Sequence, residues 1–194
     1  MPARGVTRPD IRGVNALFSH GAPRGVATVG TIHRAVKRKI ISFRQDEASD
    51  WVATLECGHD QHTRHAPPLS ERPWVLREGG RRARLGTELS CSRCDQHELP
   101  AGYVPYRRTA EFTESTVPRA LLSRHTTKAG VWAQVHVLEG SLSYRLLEPF
   151  HEEHVLEPGS VALVLPGVEH DVRPLGPVRF FIEFYRPGNR DPAA

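Results

Sequence analysis

All three cysteines of this 194-residue chain fall in one stretch, as Cys57-Gly58-His59 and Cys91-Ser92-Arg93-Cys94, with His62 and His65 close behind the first. An odd number of cysteines cannot close into a disulfide framework, and C-x-H and C-x-x-C spacings place ligands on two tight turns. A structural zinc site follows, with Cys57, Cys91, Cys94 and His59 as ligands and His62 or His65 as alternatives to His59. A redox pair at Cys91 and Cys94 is the rival reading, but no βαβ context of the thioredoxin kind surrounds them. Three thiolates on a divalent cation leave a negative site, and Arg81, Arg82, Arg84 and Arg93 are the nearby cations in sequence.

A hairpin brings the first turn into place. Ile40, Ile41 and Phe43 precede the turn-forming run Asp46 to Asp50, and Trp51 to Leu55 follows it straight into Cys57. The expectation is a small zinc-ribbon-like α+β domain over residues 39–98. Ahead of it, residues 1–39 carry eight Lys/Arg against the single Asp10, scattered among Gly, Pro and Ala with neither helix nor strand period. Residues 1–38 therefore read as a disordered basic tail: a solvated arm, an over-long start or an organellar leader. The formal charge of +4 resides in this tail, and the rest of the chain is slightly acidic, so no nucleic-acid partner is expected. No run approaches the length of a membrane span, so a soluble, cytoplasmic protein without a membrane partner is expected.

A Pro/Gly break at Leu99-Pro100-Ala101-Gly102 suggests two separately packed units. Beyond it the pattern is β almost throughout, with Val131–Leu138, Leu142–Leu147, Val155–Leu156, Val161–Leu165 and Val178–Tyr185 as strands. Turns are expected at Glu139-Gly140, Pro158-Gly159 and Pro166-Gly167. Such spacing predicts a jelly-roll barrel over 100–187 and a tail over 188–194, so the chain as a whole reads as mainly β.

Two resemblances sharpen this. The run Arg38 to Asp46, Leu55-Glu56-Cys57-Gly58-His59 and Arg72-Pro73-Trp74-Val75-Leu76 are similar to a small uncharacterised bacterial family that brings no activity with it. Pro158-Gly159, followed by Pro166-Gly167-Val168-Glu169-His170, resembles the second cupin motif. The first motif is represented only by His125. More closely, Val104 to Arg108, Thr116-Val117-Pro118, His125 to Trp132 and Phe180 to Tyr185 resemble the TehB/YeaR-like domain associated with tellurite resistance.

That resemblance implies a cupin fold and a divalent-metal site at His125 and His170, with Glu183 as third ligand. Glu183 shares a strand face with Phe181 and Tyr185, and a carboxylate inside a barrel needs a cation or hydrogen bonds to offset its burial. Zn²⁺, Fe²⁺, Mn²⁺ and Ni²⁺ all suit such ligands. Gln134 and His136, on one face with Trp132, either line the same pocket or face solvent.

Three functions remain open. The first is a metal-binding stress-response or small-ligand module for an anion or oxyanion such as tellurite. Some relatives carry a methyltransferase after this domain, and no glycine-rich nucleotide loop is present here. The second is a metal-dependent cupin enzyme of oxygenase or hydrolase type. The third is a zinc-domain adaptor that meets protein or nucleic acid through Arg81, Arg82 and Arg84. A homodimer is an open alternative for the barrel.

Overall fold

The first described strand shows how early the ordered chain begins. Val36, Arg38 and Ile40 are buried while Ala35, Lys37 and Lys39 are exposed, the period of two of a strand with one face on a core. The computed structural model describes residues 35–63 and 72–188. Most of the basic tail expected over 1–38 lies outside them, as do His65 and residues 189–194. Where the tail meets the described residues the expectation is corrected: strand β1 spans Lys37–Gln45, and a boundary at residue 38 would cut through it.

The expected hairpin forms between β1 and β2 (Trp51–Leu55), with Gln45 opposite Trp51. Asp46 builds the turn, its Oδ1 accepting from the backbone N–H groups of Ala48 and Asp50 at 2.9 Å each, so the carboxylate replaces missing ladder partners. β3 (Asp60–His62) and β4 (Glu88–Ser90) complete a sheet of order β3-β2-β1-β4, joined by the short helices α1 (Glu78–Arg82) and α2 (Ser92–Asp95).

The second sheet has the order β5-β10-β7-β8. It comprises β5 (Tyr103–Arg108), β7 (Trp132–Leu146), β8 (Glu152–Leu156) and β10 (His170–Pro187), with β6 (Phe112–Thr113) on β10 and β9 (Val161–Val164) on β7. The expected turn at Glu139-Gly140 is a bend instead. β7 runs through it for 15 residues, and β10 for 18. Gly140 has φ 72°, and a Cβ there would stand 2.0 Å from the Pro177 carbonyl oxygen, so the two long strands approach at a point that only glycine allows. Bending long strands lets one antiparallel sheet curl on itself, and the chain is mainly β as the sequence predicts.

The two sheets do not have separate cores. The described residues belong to one compact unit, His33–Ala194. Its core runs from Val36, Ile40, Leu55 and Cys57 through Trp132 into Leu142, Leu146 and Phe180 without a break. Trp132, fully buried, donates its indole N–H to the Cys57 carbonyl at 2.7 Å, and Tyr103 Oη reaches the same oxygen at 3.5 Å. Gly58, with φ +90°, lets Tyr103 in: an ideal Cβ would lie 2.2 Å from the Tyr103 hydroxyl. The Pro/Gly break is therefore a hinge in sequence but not in packing.

Candidate metal and ligand sites

The two cysteine turns meet because β1 pairs with both of their neighbours. β2 lies on one side of it and leads into Cys57, while β4 lies on the other and leads into Cys91. Cys91 N–H donates to the Val36 carbonyl at 2.9 Å, fixing the second turn against β1. Cys57, His59, Cys91 and Cys94 are all buried, with their ligand atoms within 4.8 Å of one another.

The spacing fits a tetrahedral ion. Bonds of about 2.3 Å to sulfur and about 2.05 Å to nitrogen set S···N separations of about 3.6 Å and S···S separations of about 3.8 Å. His59 Nδ1 stands 3.5 Å from Cys57 Sγ, 3.4 Å from Cys91 Sγ and 3.6 Å from Cys94 Sγ, and Cys57 Sγ lies 3.9 Å from Cys91 Sγ. Four protein donors leave no open position, the arrangement of a structural rather than a catalytic site.

Electrostatics point the same way. Without a cation three thiols packed this closely cannot ionise together. Cys57 is pushed up to about 11, first by its hydrogen bond with Cys91. Cys94 is pushed up as well by its hydrogen bonds with Cys57 and Cys91, while Cys91, bonded to both, is held down as the one thiolate. A divalent cation at the centre of the four donors removes that conflict.

The alternative ligand His62 is excluded by position. Its ring is exposed, with Nδ1 3.7 Å from the Asp46 carboxylate at the mouth of the hairpin. The arginines expected to balance the charge are engaged elsewhere. Arg81 donates to the Val75 carbonyl at 2.7 Å and sits over Trp51, Arg82 pairs with Glu78, Arg84 lies over Trp74 and Arg93 pairs with Glu98.

The curled sheet holds a second site. A cavity of about 390 Å³ is lined by His125, His170, Tyr106, Arg107, Thr127 and Lys128 against an apolar wall that includes Val135, Ile182 and Phe184. His125 and His170 face each other across a two-residue bridge, each backbone N–H donating to the other's carbonyl, with ring centroids 4.2 Å apart. Each Nδ1 bonds the carbonyl two residues before it, Ser123 for His125 and Val168 for His170, at 2.9 Å. A carbonyl can only accept, so Nδ1 carries the proton and, in the neutral ring, Nε2 is left as an acceptor. His170 is pushed down to about 4, first by burial, and is neutral at pH 7.

Glu183 is not part of this site, which corrects the three-ligand expectation. It does share a face with Phe181 and Tyr185, but that face is the outer one, because Ile182 and Phe184 between them line the cavity. Glu183 accepts from Tyr185 Oη at 2.5 Å, and Tyr185 also bonds Gln134 at 2.8 Å. Gln134 and His136 lie on this outer face too, His136 stacked on Phe181 with 4.6 Å between ring centroids. Among the described residues no third metal-binding side chain joins His125 and His170. The basic wall that Arg107 and Lys128 give the cavity is not legible in the sequence, where Lys128 stands only at a position suited to a further metal ligand. Their signal was position inside matched motifs, which says nothing of charge lining a cavity.

Comparison with known proteins follows the same division. A protein from E. coli strain K12 aligns at 23% identity and TM-score 0.44 over 47% of this chain and 98% of its own. TehB from Haemophilus influenzae is 26% identical with TM-score 0.42 over 45% of this chain, and only 32% of its length is covered. A cupin-2 domain containing protein from Shewanella frigidimarina aligns at 18% identity and TM-score 0.28, over 42% of this chain and 64% of its own. No curated protein matches the chain. Among the described residues no helix is long and apolar enough to cross a membrane. Each half is matched by its own family model, residues 41–98 by the protein of unknown function (DUF3565) and residues 107–182 by the TehB-like domain.

Proposed function

We propose that this chain is a small-ligand-binding protein in which Cys57, His59, Cys91 and Cys94 hold a structural Zn²⁺ and the cavity at His125 and His170 takes a small protonated oxyanion. The observation that carries the second part is the lining of the cavity: Arg107 and Lys128 as cations, two imidazoles and no acidic side chain. Cations favour an anion, and Nε2 acceptors favour one that still carries an O–H. Monoprotonated oxyanions of the tellurite, selenite and phosphate type meet both demands, as do small hydroxy acids. The resemblance to a domain associated with tellurite resistance puts tellurite first among the anions to try.

The enzyme reading loses its main support with Glu183, since two imidazoles alone make an incomplete metal centre. The nucleic-acid adaptor reading loses Arg81, Arg82 and Arg84, which are held by Val75, Trp51, Glu78 and Trp74.

Calorimetric titration with tellurite, selenite, phosphate and lactate tests the proposal. Saturable binding of at least one is expected, weakened about tenfold in Lys128→Ala, a loss of about 1.4 kcal/mol. No binding of any of the four, or equal binding by Lys128→Ala, would sink the anion-site reading.

A further inference from the structure

We infer that Arg38 is the counter-charge of the Cys57/His59/Cys91/Cys94 metal centre, its buried guanidinium cancelling the excess negative charge of the thiolates. This rests on the reading of that cluster as a divalent-metal site. The sequence gives Arg38 no such role: it stands in a basic run, Lys37-Arg38-Lys39, that has the composition of a solvated tail.

The need for a cation follows from charge. Three thiolates and a neutral imidazole around a divalent ion leave one net negative charge in a site from which water is excluded, and an uncompensated buried charge is costly. A guanidinium is suited to the task because it is always charged, less strongly hydrated than an ammonium and presents several N–H donors in a plane.

Arg38 is placed for it by the backbone. It lies on the inward row of β1 between Val36 and Ile40, opposite Leu89 on β4, two residues before Cys91. Val36 locks that end of β1 to the cysteine turn from both sides, accepting from Cys91 N–H at 2.9 Å and donating to Asp95 Oδ1 at 2.8 Å. A side chain leaving this row enters the core that holds the sulfurs.

The environment of Arg38 explains little else. Only 7% of the residue is exposed, and no carboxylate pairs with it among the described residues. Its Nε and Nη2 are buried without a hydrogen-bond partner. An arginine that merely packed its methylenes would carry its head group to water, as such side chains ordinarily do. Here the head group itself is buried and short of acceptors, on the strand face that packs into the core holding the cysteines. The Arg38 side chain reaches Cys94.

Two consequences can be measured on the full-length protein. Hydrogen bonding and positive charge at a metal-bound thiolate make it a poorer leaving ligand and a weaker nucleophile. Zinc-loaded wild type, Arg38→Met, Arg38→Gln and Arg38→Lys would be compared by competition with a chromogenic chelator and by the rate of iodoacetamide labelling of the zinc-bound thiols. Cobalt(II) substitution reports the sulfur-to-metal charge-transfer band.

Arg38→Met and Arg38→Gln should bind zinc about tenfold or more weakly, label faster and shift the cobalt band to lower energy. Arg38→Lys should recover much of the affinity, because it keeps the charge. If Arg38→Met does not fold, the comparison of Arg38→Gln with Arg38→Lys carries the test, since they differ in charge. Affinity, labelling and cobalt band equal to wild type in the neutral variants would overturn the role of Arg38. A wild-type protein that binds neither zinc nor cobalt through sulfur would instead overturn the metal-site reading on which it rests.

Discussion

The chain carries two histidine-bearing sites built on opposite plans. In the first, each turn supplies its two donors within a few residues, so local geometry fixes the pairs Cys57/His59 and Cys91/Cys94, and β1 only has to bring the pairs together. In the second, His125 and His170 come from segments far apart in sequence. Both are oriented by the same device, an Nδ1 bond to the carbonyl two residues earlier. The first site is buried, and its four donors are spaced for a tetrahedral ion. The second keeps its two Nε2 acceptors beside a cavity with a basic rim. On the proposed reading one arrangement holds a fold together and the other binds a ligand, so shared ligand types do not imply a shared role.

The largest effect is expected from removing the closed site. Cys91→Ser, or chelation of the loaded protein, should cost on the order of 10 kcal/mol, the scale of structural zinc in small domains. Because the core is continuous through Trp132, whose indole holds the Cys57 carbonyl at 2.7 Å, the damage should reach the curled sheet as well. Near-UV circular dichroism and thermal melting should show one cooperative transition, shifted together. A Trp signal and melting temperature unchanged by chelation would break the contrast, because the closed site would then be no more structural than the open one.

A smaller effect belongs to the open site and appears as acid sensitivity. Burial pushes His170 down to about 4, whereas an imidazole in the unfolded chain titrates near 6.5. Between those values the unfolded state binds the proton and the folded state does not. Stability is therefore full above about pH 6.5 and falls as the pH drops towards 4, by at most about 3 kcal/mol. Urea melts across this range should show the slope, and His170→Gln should flatten it. Some slope should remain, since burial also lowers His136. A slope in His170→Gln as steep as in wild type would remove the neutral buried imidazole from the argument.

What the sequence disclosed and what it hid follow from the range of the interactions involved. The cluster of Cys57, His59, Cys91 and Cys94 was readable because turn geometry is local, and so was the hairpin turned by Asp46. The start of β1 was not. Arg38 reads as part of a basic tail because its partner is a cluster that exists only after folding. Nor was the continuous core readable, since Leu99 to Gly102 has the composition of a linker and only the contact of Trp132 with Cys57 shows otherwise. Strand parity was legible at Glu183, which does share a face with Phe181 and Tyr185. Which face turned inwards was misjudged, although the uniformly apolar Phe180, Ile182 and Phe184 against the mixed set Phe181, Glu183 and Tyr185 held the answer.

The smallest effect separates the two faces of β10. Glu183→Gln removes a charge that accepts from Tyr185, whose phenol is pushed up to about 12, first by burial and then by that bond. The amide keeps an acceptor in place of the carboxylate, and Tyr185 keeps Gln134 as a second partner. The change should cost about 1 kcal/mol or less, the range of a single partly exposed hydrogen bond. It should leave oxyanion affinity unaltered within error, because Ile182 and Phe184 rather than Glu183 form the wall of the cavity. In the same titration Lys128→Ala should weaken binding. A loss of affinity in Glu183→Gln as large as in Lys128→Ala would mean that the outer and inner faces of β10 act on the same ligand.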